Sequence, residues 1–307
     1  MSARPAFRLL KKQKKMFSKK ANSCYPLAYL TLSITTILLF SCSNDSDDGI
    51  TGEGIFQTAS EDAVIEGELF LPEGDGPFPS MIIIAGSGNE PRQEFEALAP
   101  ILNENGYGLY IFDKRGVGGS TGSYPFETPN TQEEFLTARA QDVIGIIDLL
   151  LSHDQIDNAR IGIFGSSQGA WVNSIVHALS DDLAYIVMAS GGVASTGLES
   201  FYCSLTDNPE VTIAEAIDSL DSYSGVMGFD PLSTIQTMSL PVLWLYGEED
   251  RSHPARYDVA ILEELNKPNF TVEVFAETSH ELLLLDSGLP PDNFYDILGS
   301  WLTSNNP

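Results

Sequence analysis

Basic residues are scarce along most of this chain of 307 residues. The sequence has 16 Lys and Arg against 43 Asp and Glu, and eight of the basic residues precede residue 21. From Cys42 onward, eight basic residues stand against all 43 acidic ones. So acidic a body lacks charge complementarity to nucleic acid or to an anionic membrane surface. We therefore expect no nucleic-acid partner.

Cysteine and histidine are also few, which limits metal chemistry. Three cysteines and four histidines are spread along the chain, and no group of Cys, His and carboxylates has the spacing of a metal site. No glycine-rich phosphate loop stands directly before a helix in the form that nucleotide binding needs. We therefore expect neither a metal nor a cofactor.

The N-terminal 41 residues have the pattern of an export signal. A basic segment, residues 4–20, precedes an apolar segment, residues 27–40, that is shorter than the roughly 20 residues of a transmembrane helix. It ends in Leu39-Phe40-Ser41-Cys42, which resembles the lipobox of bacterial lipoproteins. The resemblance implies that residues 1–41 are a signal peptide and that Cys42 is lipidated, anchoring the protein in the bacterial cell envelope.

Residues 42–54 are polar and acidic and predict a disordered tether. An acidic run directly after the lipidated cysteine resembles signals that send lipoproteins to the outer surface of some diderm bacteria. A plain solvated linker would have the same composition, so both interpretations stay open.

Strand-like and helix-like patterns alternate from residue 55 onward. The alternation of apolar and polar residues in 55–71 favours antiparallel strands at a sheet edge. Other strands are predicted at 81–84, 107–112, from 161, 184–188, 241–246 and 270–275, and helices at 94–105, 131–153, 170–179 and 293–302. This order predicts an α/β fold with a doubly wound, mostly parallel sheet.

The pattern Gly-x-Ser-x-Gly connects one of these strands to the helix after it. Gly165-Ser166-Ser167-Gln168-Gly169 follows the apolar run that begins at Ile161 and opens the helix at 170–179. Strand, tight turn and helix in that order are the context of a nucleophile elbow. We therefore interpret Ser167 as a nucleophile. A second copy of the pattern, at residues 118–122, lies well beyond its strand and is followed by Pro125, so Ser120 is interpreted as a loop residue.

Several motifs in one order resemble the α/β-hydrolases. They are Gly86-Ser87-Gly88 after an early strand, Asp113-x-Arg115-Gly116-x-Gly118-x-Ser120, the elbow, Gly247-x-x-Asp250-x-x-x-Pro254 and a late His280. The chain is similar to serine hydrolases of the esterase, dienelactone-hydrolase and serine-aminopeptidase kinds. The resemblance implies one hydrolase domain over residues 55–307, with a small helical cap inserted at about residues 192–240.

The resemblance also implies the other site residues. A serine hydroxyl needs a histidine to take its proton and a carboxylate to orient that histidine. His280 and Asp250 stand at the family positions, whereas His253 is a weaker candidate for the base. Backbone N–H groups of Gln168 and Ser87 would form the oxyanion hole, although relatives commonly carry His-Gly where this chain has Ala85-Gly86. Asp113 and Arg115 are interpreted as structural ion-pair residues.

The expected function is an exported serine hydrolase that cleaves carboxylic esters through an acyl-enzyme. A serine peptidase of the same fold and a non-catalytic surface-binding lipoprotein are the alternatives. Residues 192–240 carry seven carboxylates and no Lys, Arg or His, and 211–220 suits an amphipathic helix. A small, neutral ester is therefore the expected substrate, and the oligomeric state stays open.

Overall fold

The computed structural model describes residues 51–124 and 131–305, so the predicted signal peptide, Cys42 and most of the tether lie outside the described residues. An eight-stranded sheet runs in the order β1-β2-β4-β3-β5-β6-β7-β8. Strand β2 is antiparallel to both of its neighbours, and every pair from β4 to β8 is parallel. The prediction of a doubly wound, mostly parallel sheet is confirmed. The strands are β1 (Gly54–Ser60), β2 (Ala63–Phe70), β3 (Phe78–Ile84), β4 (Gly108–Phe112), β5 (Ile156–Ser166), β6 (Tyr185–Ala189), β7 (Val242–Gly247) and β8 (Phe270–Phe275).

Helices cover both faces of the sheet, because the central strands are apolar on both sides. In β3, Ile82 and Ile84 join the core beneath one set of helices, and Met81 and Ile83 join the core on the opposite face. The first core also receives side chains of the helices at 132–151, 168–179 and 255–265, and the second receives those of the helices at 99–104 and 294–304. The helices are α1 (Ala99–Glu104), α2 (Gln132–Leu151), α3 (Gln168–Leu179), α4 (Thr196–Thr206), α5 (Ile213–Asp218), α6 (Leu232–Thr237), α7 (Ala255–Leu265) and α8 (Phe294–Ser304).

One helix prediction was partly wrong. The segment predicted as a helix at 94–105 is a 3₁₀ helix, Arg92–Leu98, followed by the short helix α1. Pro100 stands in the first turn of α1 and has no N–H, so it cannot donate to a carbonyl one turn earlier. An α-helix therefore cannot run unbroken from residue 94 through Pro100, and α1 begins at Ala99.

The segment between β6 and β7 holds the residues predicted as a cap, about 192–240, and is called the cap region; that it covers the nucleophile stays a prediction. It contains α4, α5, α6 and a 3₁₀ turn, Leu220–Ser222, and has a small core of its own. Helix α5 begins with a capping box between Thr212 and Glu215. Arg251, in the loop after β7, donates to three backbone carbonyls of this region, so the cap is tied to that loop. Within the described part of the chain, no helix combines the length and apolarity required to cross a membrane.

Candidate active site

Ser167 lies in a sharp turn between β5 and α3. Its backbone has φ 53° and ψ −121°, a conformation that L-residues rarely adopt and that costs free energy. Strand and helix approach closely here: a Cβ on Gly165 would lie 2.3 Å from the carbonyl oxygen of Gly169, and one on Gly169 would lie 2.2 Å from that of Ile84. Only glycine fits these two positions. The turn therefore has the geometry of a nucleophile elbow, with Ser167 at its tip.

His280 and Asp250 are paired at the same edge of the sheet. Asp250 follows β7, His280 follows β8, and Nδ1 of His280 lies 2.8 Å from Oδ2 of Asp250. The other carboxylate oxygen, Oδ1, accepts the backbone N–H groups of Ser252 and His253, each at 2.8 Å. The Asp250 side chain is fully buried and that of His280 is 18% exposed. The carboxylate is thus fixed from two sides, and it orients the imidazole.

The protonation of His280 depends on its carboxylate partner. Burial lowers the pKa of His280, whereas the negative charge of Asp250 and the hydrogen bond to it raise the pKa, with a further contribution from Glu281. The net result is a pKa above the usual value for histidine. The surroundings therefore stabilise the imidazolium that forms when His280 accepts a proton.

Residues that follow β6 connect the two halves of the site. Ser190, in a left-handed backbone conformation with φ 52°, donates its hydroxyl to the backbone carbonyl of His280 at 2.6 Å. The next residue, Gly191, passes so close that a Cβ there would lie 2.9 Å from the carbonyl oxygen of Ser167. The N–H of Ser167 donates to the carbonyl of Ala189 at 2.8 Å. This segment therefore contacts both the serine turn and the histidine loop.

The loop after β3 lies against the serine. A Cβ on Gly86 would lie 3.3 Å from Cβ and 3.8 Å from Oγ of Ser167. Ser87, the next residue, is exposed. Gln168, on the other side of Ser167, begins α3 and is buried. The two predicted oxyanion residues thus belong to segments that flank Ser167.

Two side chains, the buried Arg139 and the half-buried Tyr124, join these flanking segments. One guanidinium N–H group of Arg139, in α2, donates to Oε1 of Gln168. Another donates to the carbonyl oxygen of Ala85 at 2.7 Å. The Tyr124 hydroxyl lies 3.1 Å from Oε1 of Gln168 and 2.8 Å from the carbonyl oxygen of Ser87. Both side chains therefore bridge the loop after β3 and the first residue of α3.

A second cation lies behind the same loop. Lys114 is 2% exposed, and its ammonium donates to the carbonyl of Gly86 at 2.8 Å and to that of Gly88. The ammonium also lies 4.9 Å from the ring centre of Tyr124. Two buried positive charges thus hold backbone carbonyls of one four-residue loop.

Sequence reasoning missed Arg139, Tyr124 and Lys114. Arg139 carried the clearest signal, because it stands on the apolar face of α2, one turn after Phe135 and one turn before Val143. A lone arginine in an apolar stripe must find buried acceptors. The sequence could not show that these acceptors lie 29 and 54 residues away.

The remaining predicted residues have structural contacts. Ser120 accepts the N–H of Glu66 and donates to the carbonyl of Asp113, as a loop residue would. Asp113 and Arg115 each form an ion pair, but they do not pair with each other, so the salt bridge expected between them is wrong. Asp113 pairs with Arg92, and Arg115 pairs with Asp142 at 2.7 Å.

The other histidines are distributed as follows. His153 bonds to the carbonyl of Gly52 at 3.0 Å, and His177 lies half-buried in α3. His253 is fully buried beside the loop of Asp250. Among residues 51–124 and 131–305, no group of three or more His, Cys, Asp and Glu could hold a metal ion.

Comparisons with known proteins place this geometry in a family. The model of the prolyl oligopeptidase family, Peptidase_S9, matches residues 93–286. Acyl-coenzyme A thioesterase 6 of Mus musculus is 25% identical over 246 residues, which cover 74% of this chain and 54% of that protein. The chain spans about half the length of the curated relatives it matches.

Solved structures share the fold at low sequence identity. Pyrococcus furiosus esterase Pf2001 has a TM-score of 0.61 and 17% identity, over 82% of this chain and 91% of the esterase. Pyrococcus horikoshii acylaminoacyl peptidase has a TM-score of 0.59 and 20% identity, over 82% of this chain and 41% of the peptidase. The sheet is therefore that of the α/β-hydrolase fold, as the sequence predicted.

Proposed function

Because the chain belongs to the prolyl oligopeptidase family of hydrolases, we propose that it is an exported serine hydrolase that cleaves carboxylic esters. Ser167 is the nucleophile, His280 the general base and acid, and Asp250 the residue that orients His280. The observation that carries this proposal is the hydrogen bond of 2.8 Å between His280 and Asp250 at the sheet edge where Ser167 occupies its strained turn.

The reaction follows from the tautomer that Asp250 selects. With the Nδ1 proton of His280 donated to Asp250, Nε2 is left as the base that takes the proton of Ser167 Oγ. Oγ attacks the carbonyl carbon, and the resulting oxyanion accepts the backbone N–H groups of Gln168 and Ser87. His280 then protonates the leaving alcohol, and an acyl-enzyme remains on Ser167. Water, activated by His280, releases the acid.

Covalent labelling tests the nucleophile. A fluorophosphonate should modify the wild-type protein on the peptide that carries Ser167, and Ser167→Ala should abolish both labelling and ester hydrolysis. Ser120→Ala is the matched control, because Ser120 has the same flanking glycines and should keep the label. Absence of labelling in the wild-type protein would favour a non-catalytic binding protein. Labelling of Ser120 instead would show that Ser120, and not Ser167, is the nucleophile.

A peptidase is the second candidate function. The match to the prolyl oligopeptidase family and the similarity to the solved acylaminoacyl peptidase favour it. A catalytic triad on this sheet does not by itself determine which bond is cleaved. A p-nitrophenyl ester and a p-nitroanilide with the same acyl group separate the two activities. An esterase should have a kcat/KM for the ester that exceeds its kcat/KM for the anilide by much more than the greater intrinsic reactivity of the ester explains. Efficient anilide cleavage would favour the peptidase.

The charge of the cap region supports a neutral substrate. Of its seven carboxylates only Glu199 is partly buried, and the other six are exposed: Asp207, Glu210, Glu215, Asp218, Asp221 and Asp230. No Lys, Arg or His occurs in residues 192–240 to receive a phosphate or a carboxylate. We therefore propose small neutral esters as substrates, rather than the acyl-coenzyme A class named for the mouse relative.

The location remains a proposal that depends on the N-terminal sequence alone. The lipobox at residues 39–42 supports a lipid anchor at Cys42 in the bacterial cell envelope. Cys42→Ala should move the protein out of the membrane fraction or block its maturation. Membrane association that is unchanged in this variant would contradict the lipoprotein assignment.

A further inference from the structure

A second histidine–carboxylate pair lies beside the loop of Asp250. His253 is fully buried, and its Nε2 lies 2.7 Å from Oδ2 of Asp258, which is itself fully buried at the start of α7. The backbone N–H of His253 donates to Oδ1 of Asp250. One residue therefore holds the proposed catalytic carboxylate with its backbone and a different buried carboxylate with its side chain.

Asp258 extends this connection to the segment beside Ser167. Its Oδ1 accepts the N–H of Ala194 at 2.8 Å, and its Oδ2 accepts the N–H of Val193 at 3.2 Å. The hydroxyl of Tyr246, at the end of β7, also donates to Oδ2, at 3.1 Å. These two N–H groups stand at the start of the cap region, two and three residues after Gly191, the glycine that contacts Ser167. The pair of His253 and Asp258 thus connects the loop of Asp250 to the first residues of the cap region. Those residues follow the segment that contacts Ser167.

The surroundings of the ring favour the imidazolium. Nδ1 of His253 has no hydrogen-bond partner among residues 51–124 and 131–305, but it lies 3.9 Å from Oε1 of Glu199 in the cap helix α4. The ring stacks on Tyr246 at 6.4 Å and meets the edge of Trp171 at 6.3 Å. The two carboxylates stabilise a cation that lies between them, whereas a neutral ring would leave both carboxylates without a positive charge.

We propose that His253, held as an imidazolium between Asp258 and Glu199, is a positioning residue that fixes the loop of Asp250 and ties it to the cap. The proposal rests on the proposed catalytic role of Asp250. Fixing this loop keeps the carboxylate aimed at His280, and the contact with Glu199 makes that geometry depend on the docking of the cap. Loss of His253 should therefore lower kcat more than it raises KM.

The charge of His253 also reaches the proposed base. Burial lowers the pKa of His253, but Asp258 and then Glu199 raise it, and the net pKa is about 10. The groups that face it are Asp258 of α7, Glu199 of α4, Tyr246 of β7, and Asp250 and His280 in the two loops. The positive charge on His253 lowers the pKa of His280, against the larger opposite effect of Asp250. A neutral residue at 253 should therefore raise the pKa of His280.

The pH profile of His253→Gln tests this inference, with His177→Gln as the matched control. Rates are divided by the concentration of Ser167 that a fluorophosphonate labels, so that partial unfolding does not count as lost activity. We expect kcat to fall about tenfold with KM within about twofold, and the acidic limb of kcat/KM to move to higher pH. The control should change neither. An unmoved limb together with an unchanged kcat would overturn the proposal, whereas unlabelled wild-type protein would overturn the proposed function instead.

A second measurement needs no substitution. Imidazole ¹⁵N shifts of the wild-type protein report the charge of each of its four histidines. One ring should remain an imidazolium above about pH 9 if His253 is held as proposed. Four rings that are all neutral at that pH would overturn the proposal even if the variant fails to fold.

Discussion

The proposed oxyanion side and the proposed acid side of this site are held by opposite chemistry. On the oxyanion side, the cations Arg139 and Lys114 donate to the backbone carbonyls of the loop at residues 85–88. On the acid side, the carboxylates Asp250 and Asp258 accept backbone N–H groups. A loop whose N–H groups are left free for an oxyanion still has its backbone carbonyls available as acceptors, and a loop that carries a carboxylate can be held by that carboxylate. The difference follows from what each loop has to leave free.

The largest effect is expected on the oxyanion side. Arg139→Met removes a buried cation that joins Ala85 and Gln168, so both proposed N–H donors lose their alignment. We expect kcat to fall about 100-fold with little change in KM, the scale of losing one oxyanion donor. Arg139→Lys keeps the charge and should lose less. Near-normal kcat in folded Arg139→Met would mean that this cation is only structural.

A smaller effect separates the two proposed donors. The side chain of Gln168 is bound by Arg139 and Tyr124, whereas that of Ser87 is exposed and would act through its backbone alone. Gln168→Ala should lower kcat about tenfold and Ser87→Ala less than about threefold. Steady-state kinetics of both variants check this order. A collapse in Ser87→Ala would show that its hydroxyl takes part in the chemistry.

The acid side should be recognisable in the pH dependence of stability. The folded-state pKa of His253, about 10, exceeds the ordinary value of 6.5, so its contribution to stability is full below pH 6.5 and is lost as the pH rises through about 10. Wild-type protein should therefore have a higher Tm than His253→Gln at pH 6, and the gap should narrow by pH 10. A gap that is constant or widens would contradict the charged state of His253.

The smallest expected effect concerns the substrate. A negative rim repels anionic esters over about one Debye length, so neutral acyl esters should be preferred to succinylated analogues, and the preference should shrink as salt is added. Paired kcat/KM measurements at about 20 mM and 500 mM NaCl check this. Rapid turnover of an acyl-coenzyme A at low salt would indicate that the cap region does not line the substrate entrance.

The parts that were predictable from sequence are those with local signals. Strand β8 begins and ends at the predicted residues, 270 and 275, because apolar and polar residues alternate in Phe-Thr-Val-Glu-Val-Phe. The turn at Ser167 was recognisable because its two glycines have to stand at fixed offsets. His280 and Asp250 were assigned by their order relative to the strands, and the structure brings them together.

The clusters behind the loops were not predictable. Arg139 meets the loop at 85–88 only because α2 packs against α3 and β5, and His253 meets Asp258 and Glu199 only once α4 and α7 have docked. The sequence indicates at most that Arg139 is buried, and it does not indicate which groups Arg139 or His253 contacts. A buried ion-pair partner is determined by tertiary packing, which leaves no periodic signal in the chain.

The formation of an acyl-enzyme on Ser167 tests the central claim most directly. The protein is mixed with p-nitrophenyl butyrate, quenched in acid within the first turnover and digested, and the peptides are analysed by mass spectrometry. The proposed mechanism predicts one butyryl group on the peptide that carries Ser167, with a stoichiometric burst of p-nitrophenol and neither signal in Ser167→Ala. Hydrolysis of the ester without any acylated peptide, or with the acyl group on another serine, would contradict it.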